Sequence, residues 1–435
     1  MLCDPIYNPE KGFGLASLFS AFALCQKNRA RPIFLYEKIY NKKELNNLFC
    51  ILFKPFKCLS VQELVSKKVE REVEKIIHSE NNKTSIYNWK YKRIKIGRCL
   101  WDEIIWNKSY TVKIADCHYP EKTKLYNYIA ATEKILSKYN IVAGFFTHTS
   151  GVASGVPLRL LLASNIKVYS SYGSIKHFQQ IKYENGTNHV TVPGSISKKE
   201  FLRWRKNKKI IKKALEFTES IKSRNNKKTN EANKKCWLIA LHVFSDTPNT
   251  YYQHIFKDYF EWYQKTLEII TTIKNVHWVV RPHPHSAYYK GNLGIQKIMS
   301  DIKNKKHISL WNNVEQANEK KLSFNEKFSD FDGVVTCAGT IAIQFMAMGK
   351  PSITCADGYF KDLEILKPKK TLQSYQEALA SCSSNAFKND VKNSLLARIA
   401  YYLVFKKKID YLTMKPDFQF EKLNIDTISA EDFVW

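Results

Sequence analysis

Val276-His277-Trp278-Val279-Val280-Arg281-Pro282-His283-Pro284-His285 and, further on, Asp332-Gly333-Val334-Val335-Thr336-Cys337-Ala338-Gly339-Thr340-Ile341-Ala342-Ile343-Gln344 decide the fold. Each is a short apolar, β-branched run that stops at a polar or Gly-rich turn, and in the second a helical pattern takes over at once. Strand, turn and helix in that order build a parallel α/β sheet. Both turns then fall at the carboxyl edge of the sheet, where ligands of open α/β sheets bind.

The two turns differ in what they offer. A helix opening at Gly339-Thr340 presents unpaired backbone N–H groups and a positive dipole end, and glycine lets an oxygen-rich ligand approach the main chain; that combination suits a phosphate. Arg281 and His283 leave the first strand beside it. Pro282 and Pro284 fix φ on either side of the imidazole and stiffen the turn that aims it. Together the two turns can hold a nucleotide.

The paired pattern, [Lys/Arg]-Pro-His-Pro after one strand and Gly-Thr-x-x-x-[Glu/Gln]-x-x-x-x-Gly-Lys-Pro after another, here Gly339 to Gln344 and Gly349-Lys350-Pro351, resembles the donor half of bacterial GT-B glycosyltransferases that build capsules and surface polysaccharides. The pattern is nearest to Kdo transferases and sialyl- or polysialyltransferases, which use CMP-sugars, and to the CDP-polyol phosphotransferases of teichoic-acid-type polymers. The resemblance implies two Rossmann-like domains facing across a cleft, with a C-terminal helix crossing back to the first. It implies that Arg281, His283, Gly339 and Thr340 hold nucleotide phosphate and that Gln344 meets the ribose, where glutamate is usual in the family. No cofactor and no metal is implied beyond the donor itself.

A chain of 435 residues with 44% hydrophobic and 13% aromatic residues exceeds one ordinary core and suits two domains of roughly 200 residues each. The expected division is an acceptor-side domain over 1–205, a basic helix and linker over 206–235, a donor domain over 236–395, and a crossover helix and tail over 396–435. The 69 Lys and Arg against 40 Asp and Glu favour acidic partners such as phosphate-rich donors, anionic glycans or membrane surfaces. The same excess also follows from a lysine-, asparagine- and isoleucine-rich composition without any functional role. No motif that reads DNA or RNA occurs, so a basic nucleic-acid or membrane-binding protein ranks below the enzyme. Ten cysteines lie scattered without Cys-x-x-Cys spacing, as buried thiols in a reducing cytosol do. With no signal-like start and no run of membrane-span length, the expected location is cytoplasmic, with peripheral contact to the inner membrane or the capsule export machinery.

In the first half, Gly12-Phe13-Gly14 leads into an apolar run to Cys25, read as a helix under the sheet, and Arg31 to Tyr36 reads as a strand. Arg93-Ile94-Lys95-Ile96-Gly97-Arg98-Cys99-Leu100-Trp101-Asp102 resembles an acceptor-domain stretch of the same transferases, which makes Asp102 a candidate general base; the alternative is a helix cap. Ile141 to Phe146 is a buried strand ending in Thr147-His148-Thr149-Ser150-Gly151. There His148 is the second catalytic candidate, facing the acceptor it would activate or the departing phosphate; the alternative is a histidine satisfied by the backbone of its own turn. Arg159, on the apolar helix that follows, binds an anionic substrate group or makes a surface ion pair.

Lys198 to Lys235 is strongly basic and then breaker-rich, read as a helix leading into a linker, with anionic lipid as the functional alternative. Trp237 to Phe244 opens the second half, and the turn behind it makes Ser245 a candidate donor contact and Asp246 a substrate contact. Asp330-Phe331-Asp332 has the text of a metal-binding Asp-x-Asp, but it precedes its strand and so falls at the amino end, away from the ligand edge. The function this implies is transfer of a sugar from a nucleotide-activated, CMP-linked donor, such as CMP-Kdo or a sialic-type sugar, to a glycan or glycolipid acceptor. The alternative is a CDP-polyol phosphotransferase.

Overall fold

The computed structural model describes residues 1–3, 24–25, 29–36, 57–81, 84–108, 119–170, 177–183, 196–219, 234–246, 255–284, 286, 292–311, 324–360, 363, 365–384, 391–405, 412–414 and 433–434. The Gly12-Phe13-Gly14 segment, most of the apolar run behind it, the breaker-rich stretch 220–233, Thr247 and His285 lie outside these. The strands are β1 (Leu2–Cys3), β2 (Ile33–Tyr36), β3 (Lys57–Ser60), β4 (Lys90–Tyr91), β5 (Ile94–Lys95), β6 (Ala143–Phe146), β7 (Lys167–Ser170), β8 (His177–Ile181), β9 (Lys235–Ala240), β10 (Val276–Arg281), β11 (Ile308–Leu310), β12 (Gly333–Val335), β13 (Ser352–Ile353), β14 (Leu412–Met414) and β15 (Phe433–Val434).

One sheet runs β15-β14-β8-β7-β6-β1-β2-β3 and another runs β11-β10-β9-β12-β13, while β4 and β5 make a small hairpin of their own. In the second sheet every neighbouring pair is parallel. In the first sheet the run from β3 to β7 is parallel too, and β8 and β14 then join antiparallel at one side. Counted along the chain, the parallel strands of both sheets follow the order third, second, first, fourth, fifth. That is the doubly wound order of a Rossmann-like unit, and it occurs twice. The two Rossmann-like halves implied by the sequence pattern are therefore present.

The alternation along β9 shows why its sheet needs cover on both faces. Trp237 and Ile239 enter one core with Trp278, Val280 and Val335, while Leu238 and Ala240 enter another with Val334 and Ile343. The first half has its own core, built on Leu2, Ile33, Phe146 and Val168 and on the helices α1 (Lys67–Glu80), α2 (Gly97–Lys108), α3 (Tyr119–Lys138) and α4 (Gly151–Ala163). Helix α4 is apolar nearly all round and buried from Val152 to Leu161, as a helix enclosed between sheet and neighbours must be.

Two arrangements differ from the sequence reading. The basic run, read as a helix leading into a linker, is helical but belongs to the second half: Phe201 of the Lys198–Trp204 helix, and Ile210 and Ala214 of α5 (Lys208–Phe217), pack with Leu238 and Ala240 on one face of the second sheet. The lysines masked an apolar stripe at helical spacing. On the other face lies α6 (Tyr259–Thr272), and at the sheet edge α7 (Ile341–Ala347) follows β12. Helix α8 (Val391–Phe405) packs on α7 and α5 rather than on the first sheet. Its Arg398 donates to Thr218 Oγ1 at 2.6 Å and to the Leu215 carbonyl at 2.8 Å, and its Ser394 hydroxyl donates to the Ala347 carbonyl. The return to the first sheet is made by strand, as β14 pairs with β8. No described helix is long and apolar enough to cross a membrane.

Candidate functional site

In the second sheet the strand order reverses between β9 and β12, so the crevice of this half opens beyond their carboxyl ends. A cavity of about 430 Å³ lies there. Its walls come from the end of β9 (Ala240, Leu241, His242), the end of β10 (Arg281, His283, Pro284), the turn after β12 (Thr336, Ala338, Gly339, Thr340) and the first turn of α7 (Ile341, Gln344). Phe324, Lys327, Phe328 and Tyr359 complete them. The structure thus brings Arg281, His283, Gly339, Thr340 and Gln344 onto one cavity. Arg281 and Lys327 give it two cations, and no carboxylate stands among its described lining residues, which makes it a place for an anion.

Arg281 is held by packing. Its guanidinium lies 5.7 Å from the ring centre of Trp311 and 5.3 Å from that of Phe328, two rings packed on each other at 5.7 Å, so cation–π contacts with an aromatic pair hold the flat head at the wall. The His283 carbonyl accepts from the Ser286 N–H at 2.9 Å and from its hydroxyl at 2.6 Å, so a local turn as well as the prolines sets the histidine's backbone. A Cβ on Gly339 would meet Thr336 Oγ1 at 2.8 Å, so the turn after β12 closes this tightly only around glycine. Thr340 is the N-cap of α7, and its side chain makes no capping bond. Gln344 Nε2 donates to Tyr401 OH at 3.0 Å, which ties the cavity wall to α8.

His242 went unread in the sequence. Its ring stacks on Tyr259 at 4.1 Å and 6°, and Nε2 accepts from the Ala338 N–H at 3.2 Å, with Thr336 Oγ1 3.3 Å away. Accepting that N–H requires Nε2 to carry no proton, which places the proton on Nδ1. Through this contact β9 holds the turn that leads to Gly339. The signal was available: His242 stands two residues past the end of the strand beside the reversal of strand order. The polar turn behind it points elsewhere. Ser245 is buried, Asp246 is exposed with its N–H on the Val243 carbonyl, and neither lines the cavity.

Gly349-Lys350-Pro351, the end of the second motif, has structural partners. Gly349 ends α7 at φ +78°, a left-handed conformation that glycine adopts without strain, and Lys350 Nζ donates to the carbonyls of Phe328, Ser329 and Phe331. Asp332 accepts from the Cys236 N–H at 2.7 Å at the amino end of β12, remote from the cavity edge.

In the first half the candidates separate. His148, after β6, keeps solvent-accessible surface but is walled closely by protein, and that desolvation lowers its pKa below the ordinary histidine value; its Nδ1 lies 3.1 Å from Thr147 Oγ1. Asp102 is fully buried on α2, so it reaches no solvent-borne acceptor in this conformation. Arg159 is buried as well, and its Nη1 donates to the carbonyls of Thr149 and Gly155 at 3.1 and 2.9 Å. It braces the turn that carries His148 and, being buried, makes no surface ion pair. The start of α4 is occupied from within: Glu103 Oε2 accepts from the Val152 N–H at 3.0 Å while Oε1 pairs with Lys124 at 2.8 Å. A carboxylate at a helix N-terminus is the favourable arrangement, and it fills the place in the first half that corresponds to the Gly339 turn.

No protein-family model and no curated protein sequence matches the chain. Among solved structures it is similar to the beta Kdo 2,7 transferase of KpsC from Thermosulfurimonas dismutans, with a TM-score of 0.37, 14% identity and coverage of 66% of this chain and 83% of that one. It is also similar to UDP-GlcNAc 2-epimerase from Neisseria meningitidis, with a TM-score of 0.26, 10% identity and coverage of 93% and 97%. Likenesses this loose carry no argument about the chain, and the fold rests on its own strand order.

Proposed function

We propose that the chain is a metal-independent GT-B glycosyltransferase of capsular or lipopolysaccharide assembly. It transfers a sugar from a CMP-linked donor, such as CMP-Kdo or a sialic-type sugar, to a glycan or glycolipid acceptor. The observation that carries this reading is the convergence of Arg281, His283 and the Gly339-Thr340 turn, from two strand ends, on one cation-lined cavity at the reversal of strand order. The choice of a CMP-sugar comes from the resemblance in the His-Pro and Gly-Thr motifs.

In this reading Arg281 and His283 bind the donor phosphate, and Lys327 adds a second cation. Gln344 meets the ribose through the side-chain amide anchored on Tyr401. As the bond from the anomeric carbon to the phosphate oxygen breaks, negative charge grows on the leaving phosphate and these groups offset it. His148, after β6 at the carboxyl edge of the first sheet, takes the proton of the attacking acceptor hydroxyl. We divide the chain accordingly into an acceptor half up to about residue 195 and a donor half from Ile196 to Phe405, because Ile196 and α5 share the core of the second sheet.

Calorimetric titration with CMP, CDP, UDP and GDP tests the proposal. CMP is expected to bind selectively, and Arg281→Ala and His283→Ala each to weaken it about tenfold or more. Selective UDP or GDP binding would replace the donor, and the absence of any nucleotide response would end the reading.

A further inference from the structure

Away from the cavity, residues 198 to 213 hold nine lysines and arginines against a single carboxylate, Glu200. The two helices in this stretch bury Phe201, Ile210 and Ala214 and turn Lys208, Lys209, Lys212 and Lys213 outward. Lys208 and Lys212, like Lys209 and Lys213, stand four residues apart on one helix, a spacing at which like charges repel. Glu216 comes no nearer than 4.0 Å to Lys212, with both side chains exposed, and relieves little of this.

The face is not purely charged. Leu202 is 39% exposed, the Arg203 guanidinium lies 4.9 Å over the ring of Trp204, which itself packs partly on the core of the second sheet, and Ile211 and Leu215 floor a shallow groove lined by Lys208 and Lys212 and, at its far end, by Glu216 and Glu219. A soluble polyanion gains from the lysines and nothing from an exposed leucine. A bilayer interface uses both, with cations at anionic headgroups and apolar or aromatic side chains at the acyl boundary.

We propose that the 198–213 face docks on a bilayer surface containing anionic phospholipid, with the lysines of α5 at the headgroups and the exposed Leu202 seated below them. Phe217, at the end of α5, stacks on Tyr401 at 5.6 Å and 19°, and Tyr401 accepts from Gln344 at the cavity wall. A docked face would thus stand one helix layer from the cavity. The inference is independent of the identity of the cavity's ligand.

Sedimentation of the full chain with phosphatidylcholine vesicles, with and without phosphatidylglycerol, tests it. Binding is expected only with phosphatidylglycerol, to weaken as salt rises, and to fall at least about 100-fold in the variant K208E/K209E/K212E/K213E. These lysines are exposed, so the variant should fold; an unchanged thermal melt checks this. Leu202→Ser, which removes the apolar side chain without adding charge, is expected to lower vesicle binding several-fold while leaving retention on immobilised heparin unchanged. No binding to phosphatidylglycerol vesicles, equal binding by the lysine variant, or a Leu202→Ser variant that binds vesicles like the parent would each overturn the proposal; the last would mark a site for soluble polyanions.

Discussion

His242 shows how one side chain can hold a site without being part of a recognisable motif. Its ring is clamped flat on Tyr259 and its Nε2 takes the N–H of Ala338, the residue before Gly339. His242→Phe keeps the stack and removes the acceptor, leaving a half-buried N–H at the cavity wall without its partner. The expected loss is about 1–3 kcal/mol, read from the shift of the urea midpoint at unchanged slope. Nucleotide affinity should fall with it, because the turn that approaches the ligand is no longer tied to β9. A variant as stable as the parent would show that Ala338 is held in place by the chain alone. Arg281 and His283 were legible in the sequence because prolines and a strand end frame them. His242 was not, because the partner that gives it meaning lies 96 positions away.

At the scale of elements, the stretch from Arg93 to Asp102 was read for its aspartate, and the structure assigns its importance to the glycine. Gly97 opens α2 where the backbone of residues 86–89 crosses it: a Cβ there would overlap the Ile86 carbonyl oxygen and lie 2.6 Å from Trp89 N. These are backbone atoms, which cannot rotate aside. Gly97→Ala should cost about 3 kcal/mol or more, through overpacking and loss of the Trp89 carbonyl's bonds to the N–H groups of Ile96 and Gly97. Thermal melts would register this as a large fall in midpoint or as a failure to accumulate folded protein; a melt within a degree or two of the parent would refute the packing account. The strands β6, β7, β9, β10 and β12 were legible because each is a compact apolar run between turn residues. The placement of α5 and α8 was not, since a helix with an apolar stripe fits any sheet face and only tertiary packing decides which.

Across the whole molecule, Trp101 on α2 of the first half donates its indole N–H to Asp258 Oδ2 at 3.3 Å, while Asp258 Oδ1 caps α6 of the second half at the Glu261 N–H. Desolvation at this junction is the largest influence on Asp258 and raises its pKa, against the lowering effect of the hydrogen bonds from the Glu261 N–H and Trp101. A carboxyl whose folded pKa exceeds its unfolded value binds more protons when folded. Its contribution to stability is therefore fully present below the unfolded pKa and is lost as pH rises through the folded one. Asp258→Asn removes that titration and keeps an oxygen for the helix cap. The Trp101 bond it weakens is lost equally at every pH, so it shifts the comparison by a constant. The informative quantity is the difference in urea midpoint between variant and parent, measured from about pH 3.5 upward. It should move in favour of the variant as pH rises, the reverse of the trend set by carboxylates stabilised in the folded state. A difference that stays flat with pH would mean that the folded and unfolded pKa of Asp258 are equal, so that desolvation where Trp101 meets α6 does not outweigh the hydrogen bonds the carboxylate accepts.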